Sequence, residues 1–206
     1  NGLTDEWHPT QMAADLLTMH EHLPKPWHEI SYCYLGDARN NMGNSLRIAG
    51  CLMGMDVRIA APKDLWPDEQ HIAFARKLES DSIGRLTQTE EPHEGVDGVD
   101  LLQTDLWVSM GEAPEDWEKR INLLKDYQVN AGIMKATGNP RAKFMHCLPA
   151  FHNLETEVGR EIQTRFGLDA MEVSEEVFVC PAGIQFEQAV NRVHSIKAMV
   201  VATLNG

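Results

Sequence analysis

The chain has 206 residues, of which 43% are hydrophobic and 24% charged, a composition typical of a folded protein with one sizeable core or two small ones. Its formal net charge of −13 argues against nucleic acid or an anionic membrane as a partner, because either would approach against the field of the whole protein. No apolar run approaches the roughly 20 residues that span a bilayer, and the first residues do not resemble a signal peptide. We therefore expect a cytoplasmic protein in which local groups, such as Arg39 and Arg192, hold any anionic substrate.

Helical periodicity occurs at both ends of the chain and between them. Apolar side chains recur at three- and four-residue steps over residues 11–23 (Met12, Leu16, Met19 and Leu23), which predicts a first helix. Further helices are predicted at 40–55, 67–80, 93–96, 113–129, 130–137, 154–167 and 174–178, the last with Ser174 as its N-cap. A final helix at 185–204 has one apolar stripe formed by Phe186, Ala189, Val190, Val193, Ile196, Val200 and Leu204.

Runs rich in β-branched and aromatic residues alternate with these helices. Strands are predicted at 29–36, 56–62, 85–89, 99–107 and 142–148, with a strand-like segment at 171–173. This alternation predicts an α/β fold, a doubly wound parallel sheet of about five strands with helices on both faces. We divide the chain into a linking helix (1–24), an α/β domain (25–184) and a carboxyl-terminal helix (185–206).

Polar clusters follow the first and fourth predicted strands, where open parallel sheets bind ligands. The segment GDARNNMGNS (36–45) could present backbone N–H groups and asparagine side chains to a carboxylate or phosphate, although it lacks the G-x-G-x-x-G spacing. An asparagine-rich turn with an N-cap and no ligand fits the same pattern. Asp105 could receive a substrate ammonium group, with Ser109 on the loop beyond, or it could simply cap the next helix.

The segment HCLP places Cys147 at the same rim. Adjacent residues on a strand point to opposite faces, so His146 is poorly placed to activate the thiol as a nucleophile. The four cysteines are scattered without a C-x-x-C pair, which is a poor match to a disulfide framework, and a zinc site lacks further ligands at suitable spacing. We expect reduced thiols, no metal and no cofactor. Cys147 as a small buried hydrophobe stays open at this point.

Three further polar side chains, His8, Gln11 and Arg192, belong to the two terminal helical segments. In HPTQ, His8 and Gln11 lie three residues apart and could direct two polar groups at one small ligand, but the same pattern is a common helix start. Arg192 lies within the apolar last helix, where an arginine is more often a solvated residue than a ligand.

Five segments, taken in order, carry a resemblance that none carries alone. They are NGLTDEWHPTQ, GDARNNMGNS, DLWVSMGE, HCLPAFH and NRVHSIKA. Together they resemble the carboxyl-terminal two-thirds of ornithine carbamoyltransferases, over the whole chain. That family transfers a carbamoyl group from carbamoyl phosphate to the δ-amine of L-ornithine, giving citrulline and phosphate in arginine metabolism.

The resemblance assigns one set of residues to carbamoyl phosphate. His8 and Gln11 would contact the carbamoyl group, and Arg192 would bind it and stabilise the developing charge. Cys147 and the carbonyl of Leu148 would lie beside the carbamoyl group and the attacking amine, with Cys147 as an orienting and proton-accepting group.

A second set is assigned to ornithine. Asn41 and the Ser109-Met110 loop would hold its α-carboxylate, and Asp105 its α-ammonium. The resemblance identifies three of all these residues as catalytic: Asp105, Cys147 and Arg192.

Two departures from the family pattern shape our expectations. The phosphate-binding S-x-R-T-R motif of its amino-terminal domain is absent, so we expect a fragment that is inactive alone and whose flanking helices expose their apolar stripes. Val190 stands where the family usually has Glu, beside the Asn-Arg pair. The alternatives are an ornithine-binding or assembly subunit without activity, and a transcarbamoylase with another amine acceptor. Trimer-based homo-oligomers are expected only with the amino-terminal domain present.

Overall fold

A five-stranded parallel sheet forms the centre of the computed structural model, which describes residues 1–108 and 114–204. The strands are β1 (Ser31–Leu35), β2 (Asp56–Ala60), β3 (Arg85–Thr89), β4 (Leu101–Thr104) and β5 (Lys143–His146). Their order is β3-β2-β1-β4-β5, and every neighbouring pair is parallel. The predicted doubly wound α/β sheet is therefore confirmed.

Nine helices surround the sheet within the described ranges. They are α1 (Pro9–His22), α2 (Asn41–Leu52), α3 (Glu69–Ser80), α4 (Pro92–Val96), α5 (Pro114–Leu124), α6 (Ala131–Ala136), α7 (Glu157–Phe166), α8 (Glu175–Phe178) and α9 (Gln185–Leu204). Length and apolar character together fall short of a membrane-spanning segment in every helix that the structure describes.

Capping side chains define where several helices begin. The side chains of Asn40, Asp68, Asn130 and Thr156 each accept a hydrogen bond from the backbone N–H three residues later, which satisfies one free donor of the first turn. Ser174 occupies the predicted N-cap position of α8, but its hydroxyl makes no capping bond. The prediction of Ser174 as a good cap was therefore wrong in its chemistry, although the helix forms.

Two predicted strands differ from the structure. The strand predicted at 99–107 ends at Thr104, because the chain then leaves the sheet to place Asp105 on the rim. Residues 171–173 form no strand; Val173 makes only an isolated bridge with Val129. A short apolar run is compatible with either outcome, and only pairing with a neighbouring strand decides it.

Alternating side chains of the strands build two cores, one on each face of the sheet. Leu35, Leu102 and Phe144 belong to the core covered by α4 to α8. On the opposite face, Tyr34 and Met145 belong to the core beneath α1, α2 and α3. The near-continuous burial of the strands is what a sheet covered on both faces requires.

Helices α1 and α9 pack against each other, but the apolar stripe of α1 is buried and that of α9 is exposed. Met12 and Met19 of α1 are buried in the second core, so the expectation that this stripe is exposed was wrong. The α9 residues Val193 and Val200 are exposed, as expected, at 66% and 51%. The buried residues of α9 are instead polar: Gln185, Gln188, Asn191 and Ser195. The predicted division at 1–24, 25–184 and 185–206 stays a prediction.

Candidate active site

An open pocket lies at the carboxyl ends of β1 and β4, where the chain runs outward in opposite directions along the sheet. This is the switch point at which open α/β sheets bind ligands. The pocket has a volume of about 490 Å³. Its lining residues are Asp5, Asp37, Arg39, Asn40, Asn41, Asp105, Leu106, Trp107 and Arg120.

Asp105 is the centre of a hydrogen-bond cluster on this rim. Its Oδ1 accepts from the Leu106 backbone N–H at 2.8 Å and from the Cys147 thiol at 3.1 Å. Its Oδ2 accepts from Asn40 Nδ2 at 3.2 Å. The carboxylate therefore joins the loops that follow β1, β4 and β5, and it is held in place as an acceptor before any ligand binds.

A glycine allows the first of these loops to fold tightly. A Cβ on Gly43, in the first turn of α2, would lie 2.9 Å from backbone atoms of Ala38. The side chain of Asn40 accepts from the Gly43 N–H at 2.7 Å and is also bonded to the Tyr34 hydroxyl. Asn40, which the sequence interpretation did not single out, is thereby fixed between the strand, the helix and Asp105.

Cys147 is a protonated thiol in this arrangement. Burial raises its pKa well above the ordinary value, and the neighbouring Asp105 charge and hydrogen bond raise it further. A thiol that already carries its proton and donates it to a carboxylate has no place for another. The expected role of Cys147 as an orienting and proton-accepting group stays a prediction, and in this geometry its thiol is a hydrogen-bond donor to Asp105.

His146 faces away from Cys147, as the strand alternation predicts. It is fully buried, and its Nδ1 accepts from the Leu148 N–H at 2.8 Å. Its Nε2 lies 3.4 Å from a carboxylate oxygen of the equally buried Glu172. Because Nδ1 accepts, Nε2 carries the ring proton, and the bond at Nδ1 holds the turn that contains Leu148.

A second cluster lies where α1 begins and α9 passes it. Arg192 donates from one terminal nitrogen to Gln11 Oε1 at 2.9 Å, and the same nitrogen lies 3.5 Å from His8 Nε2. His8 and Gln11 are buried, whereas Arg192 is partly exposed. The structure thus brings together three of the five residues that the resemblance assigns to carbamoyl phosphate, and the other two, Cys147 and Leu148, follow the end of β5.

The ring of His8 has a defined orientation. Its Nδ1 lies 3.2 Å from the carbonyl oxygen of Gly2, which can only accept, so Nδ1 carries the proton. Its Nε2 is therefore an acceptor that faces Arg192. Burial lowers the pKa of His8 and the Arg192 charge lowers it further, whereas the hydrogen bond with the Gly2 carbonyl and the Asp105 charge partly oppose this shift. A neutral His8 is suited to a hydrogen-bonding role.

Beneath this cluster lies a buried carboxylate that the sequence interpretation missed. Asp15 accepts hydrogen bonds from three glutamine side chains: Gln11 at 2.8 Å, Gln103 at 2.7 Å and Gln188 at 2.6 Å. Burial raises its pKa to about 6, although the three bonds and Arg192 act in the opposite direction. The four-residue spacing from Gln11 to Asp15 was the available signal, since such residues share a helix face.

The predicted ornithine residues lie on the rim only in part. Asn41 lines the pocket and donates to the backbone oxygen of Thr4 at 3.0 Å. Ser109 and Met110 lie outside the described residues. Arg39, expected as an anion ligand, makes two hydrogen bonds to Asp37, which also pairs with Arg120. The structure thus presents Arg39 already engaged by a carboxylate.

No group of three or more His, Cys, Asp or Glu side chains that could hold a metal ion occurs in the part of the chain that the structure describes. The polar atoms of the site are instead hydrogen-bonded to one another. What the rim can do chemically is bind a cation at Asp105 and an electron-rich group at Arg192.

Comparison with known proteins agrees with this geometry. Residues 28–203 match the family model described as aspartate/ornithine carbamoyltransferase, Asp/Orn binding domain. The chain is 58% identical to a catabolic ornithine carbamoyltransferase of Rhizobium meliloti (strain 1021) and 60% identical to one of Pseudomonas putida, each over 99% of this chain. It spans 61% of the length of each of these relatives.

Solved structures show the same likeness in three dimensions. An ornithine carbamoyltransferase from Pyrococcus furiosus matches with a TM-score of 0.83 at 34% identity, over 97% of this chain and 57% of that one. An anabolic ornithine carbamoyltransferase from Campylobacter jejuni matches with a TM-score of 0.84 at 31% identity, over 100% and 61%.

Proposed function

Because this chain belongs to the aspartate/ornithine carbamoyltransferase family, we propose that it is the amine-binding part of an enzyme that transfers a carbamoyl group from carbamoyl phosphate to the δ-amine of L-ornithine. The products are L-citrulline and phosphate. The observation that carries the proposal is the presence of two clusters of opposite character, Asp105 with Cys147 and Arg192 with His8 and Gln11. They are close enough for the Asp105 charge to act on the pKa of His8.

The Asp105 cluster suits the amino acid end of ornithine. A carboxylate already fixed by hydrogen bonds can receive the α-ammonium group as a charge-assisted pair. Asn41 lines the same pocket and could donate to the α-carboxylate, and the Ser109-Met110 loop completes that contact in this proposal.

The Arg192 cluster suits the carbamoyl group. Attack by the neutral δ-amine forms a bond to the carbamoyl carbon and breaks the bond between that carbon and the phosphate oxygen. The phosphate leaves with the electron pair of that bond and takes up the proton that the amine gives up. Negative charge gathers on the carbamoyl oxygen as the carbon becomes tetrahedral. Arg192 would stabilise that charge, and alignment of the two substrates would supply much of the remaining acceleration.

Cys147 contributes by orientation in this scheme. Its thiol donates to Asp105 and holds that carboxylate oxygen on the side of the loop that follows β5. No covalent intermediate on sulfur is part of the proposal, since the raised pKa keeps the thiolate scarce.

The deciding experiment measures citrulline from carbamoyl phosphate and ornithine. The chain is assayed alone and mixed with a separately produced amino-terminal domain that contains the S-x-R-T-R motif, taken from the Rhizobium meliloti relative. We expect activity only in the mixture. Asp105→Asn should lower that activity by about 100-fold or more, whereas Asp97→Asn, an exposed residue at the other end of the sheet, should leave it unchanged.

Other outcomes point to the alternatives. Ornithine binding by calorimetry without citrulline in the mixture would favour a binding-only subunit. Carbamoylation of another amine in an acceptor panel, with ornithine inactive, would favour a related transcarbamoylase.

The division of the chain forms part of the same proposal. The exposed α9 residues Val193, Val200 and Leu204 would be covered by the amino-terminal domain, since an apolar stripe on a helix is stable in water mainly when a partner buries it. The complete protein would then assemble into trimers in the cytoplasm. Sedimentation of the chain alone and of the mixture tests the assembly directly.

A further inference from the structure

One buried carboxylate faces three glutamine side chains in the interior beneath the site. Asp15 is 1% exposed, and Gln11, Gln103 and Gln188 are completely buried. The three glutamines come from α1, β4 and α9, so the cluster joins both terminal helices to the sheet.

The chemistry of a carboxylate determines how each glutamine is turned. An ionised carboxylate only accepts hydrogen bonds, so each glutamine presents its Nε2 to Asp15 and its Oε1 elsewhere. Oδ1 accepts from Gln11 and Gln188, and Oδ2 accepts from Gln103. Without such an acceptor, the two ends of a glutamine amide would be free to exchange places.

In Gln11 this orientation directs the side-chain oxygen, a hydrogen-bond acceptor, toward Arg192. Its Oε1 points away from Asp15 and accepts from Arg192. A ligand that displaced this contact would meet a carbonyl oxygen and would have to supply an N–H or O–H donor.

In Gln188 the same orientation directs the side-chain oxygen toward the end of β5. Its Oε1 accepts from the backbone N–H of His146 at 2.9 Å, at the last residue of β5. Asp15 therefore also steadies, through Gln188, the strand end that precedes Cys147.

We propose that Asp15 is a positioning residue for the transfer site: it holds Gln11 with Oε1 outward, so that the site selects a substrate bearing an NH₂ group at that point. The inference rests on the proposed function, because the carbamoyl group of carbamoyl phosphate carries such an NH₂. Acetyl phosphate, with a methyl group there, offers no donor and serves as the probe of this selection.

The unpartnered oxygen of Gln103 makes a conservative rescue available. Gln103 Oε1 is buried and has no hydrogen-bond partner among the described residues. In Asp15→Asn, the remaining Oδ1 can still accept from Gln11 and Gln188, while Gln103 turns over and accepts from the new Nδ2. In Asp15→Leu no acceptor remains, and Gln11 loses its fixed orientation.

The test compares Asp15→Leu and Asp15→Asn with Gln103→Leu as the matched control. The control removes an equally buried amide from the same cluster but leaves the bond between Gln11 and Asp15. In the mixture with the amino-terminal domain, Asp15→Leu should lower kcat/KM for carbamoyl phosphate by about 100-fold. Asp15→Asn and Gln103→Leu should each lose less than about tenfold. Competitive inhibition by acetyl phosphate should be unchanged in all three variants.

A measurement on the chain by itself separates this inference from the proposed function. The side-chain NH₂ protons of Gln11, assigned by NMR with Gln11→Leu, should exchange slowly with deuterium in the unaltered chain and in Asp15→Asn. They should exchange quickly in Asp15→Leu. Absence of citrulline in every mixture would count against the proposed function and leave this exchange test intact.

Three results would overturn the inference. They are unprotected Gln11 protons in the unaltered chain, equal losses in Asp15→Leu and Gln103→Leu, and an equal fall in the affinity for acetyl phosphate and carbamoyl phosphate. If Asp15→Leu does not fold, Asp15→Ser, which is neutral and too short to reach Gln11, replaces it with the same expected pattern.

Discussion

Helices α1 and α9 lie side by side, but their apolar residues face the interior in α1 and the solvent in α9. In α1 the apolar stripe is buried against the sheet, and the polar Gln11 and Asp15 are buried with it. In α9 the buried residues are polar, and the apolar Val193 and Leu204 face outward, 66% and 78% exposed. The two helices therefore contact each other largely through specific polar bonds.

The difference shows that an apolar stripe does not by itself identify the side of a helix that faces the core. A helix turned with its polar side inward is stable here because nearly every inward group has a partner, such as Gln188 with Asp15 and Asn191 with Thr18. The outward apolar side is then available to a partner. We infer that burial against the sheet stabilises α1 within this fold. We propose that a partner domain buries the outward apolar face of α9.

The largest expected effect tests burial directly. Met19→Ala in α1 removes a side chain that is 1% exposed and should lower the free energy of unfolding by about 2–5 kcal/mol. The matched Val193→Ala in α9 should change it by less than about 0.5 kcal/mol. Urea unfolding followed by circular dichroism measures both. Equal losses would mean that the two stripes are not different in burial.

The second prediction concerns the charge at the α1–α9 contact. The pKa of Asp15 is raised from 3.8 to about 6 in the folded chain, so between these pH values the folded state binds more protons than the unfolded state. The contribution of Asp15 to the free energy of unfolding is thus fully present below pH 4 and is lost as pH rises through 6. That loss is about 3 kcal/mol.

Asp15→Asn does not titrate and isolates this contribution. Relative to the unaltered chain, its free energy of unfolding should rise by about 3 kcal/mol between pH 4 and pH 7.5, because all other groups are shared. Urea unfolding at the two pH values measures the difference. A constant difference would show that Asp15 does not change its protonation in this range.

A smaller effect is expected for the polar bonds of α9. Asn191 donates to Thr18 Oγ1 at 3.0 Å and to Glu21 Oε2 at 2.6 Å. Asn191→Ala should lower the free energy of unfolding by about 1 kcal/mol, the usual net worth of such a contact. His194→Ala, an exposed neighbour on the same helix, is the control and should have no measurable effect. If the two variants unfold alike, the polar face of α9 does not stabilise the fold.

The smallest effect on stability should accompany a large effect on association. The double variant Val193→Lys/Val200→Lys should change the free energy of unfolding by less than about 0.5 kcal/mol, because both residues are exposed in this fold. It should weaken binding of the amino-terminal domain by at least about tenfold, since it places charges in an apolar contact. Phe74→Lys on α3, 49% exposed, adds a charge to another exposed apolar position and should not affect that binding. Calorimetry measures the association.

Much of the fold could be predicted because its signals are local. The strand at 85–89 and the helices around α2, α3 and α7 follow from runs of a few residues and from caps such as Asn40 and Asp68. The strand that ends at Thr104 was predicted too long, since leaving a sheet depends on the neighbouring strands rather than on propensity.

The residues of the candidate site also fall into a set that the sequence predicted and a set that it did not. The resemblance brought His8, Gln11 and Arg192 together across 184 positions of sequence, and the structure places them side by side. The four-residue spacing links Gln11 to Asp15, but it could not reveal the rest of the cluster, because Gln103 and Gln188 lie 88 and 173 positions from Asp15.

The alternation of strands and helices, the positions of the polar rim residues and the family can all be read from the order of the amino acids. These depend on local propensity and on short motifs, which act over a few residues. The packing of the helices on the sheet, in contrast, was needed to learn that α1 turns its apolar stripe inward, that α9 turns its stripe outward, and that one carboxylate binds three glutamines from different elements. Those outcomes depend on which buried polar groups find partners across the sheet, and burial without a partner costs too much for any other arrangement to persist.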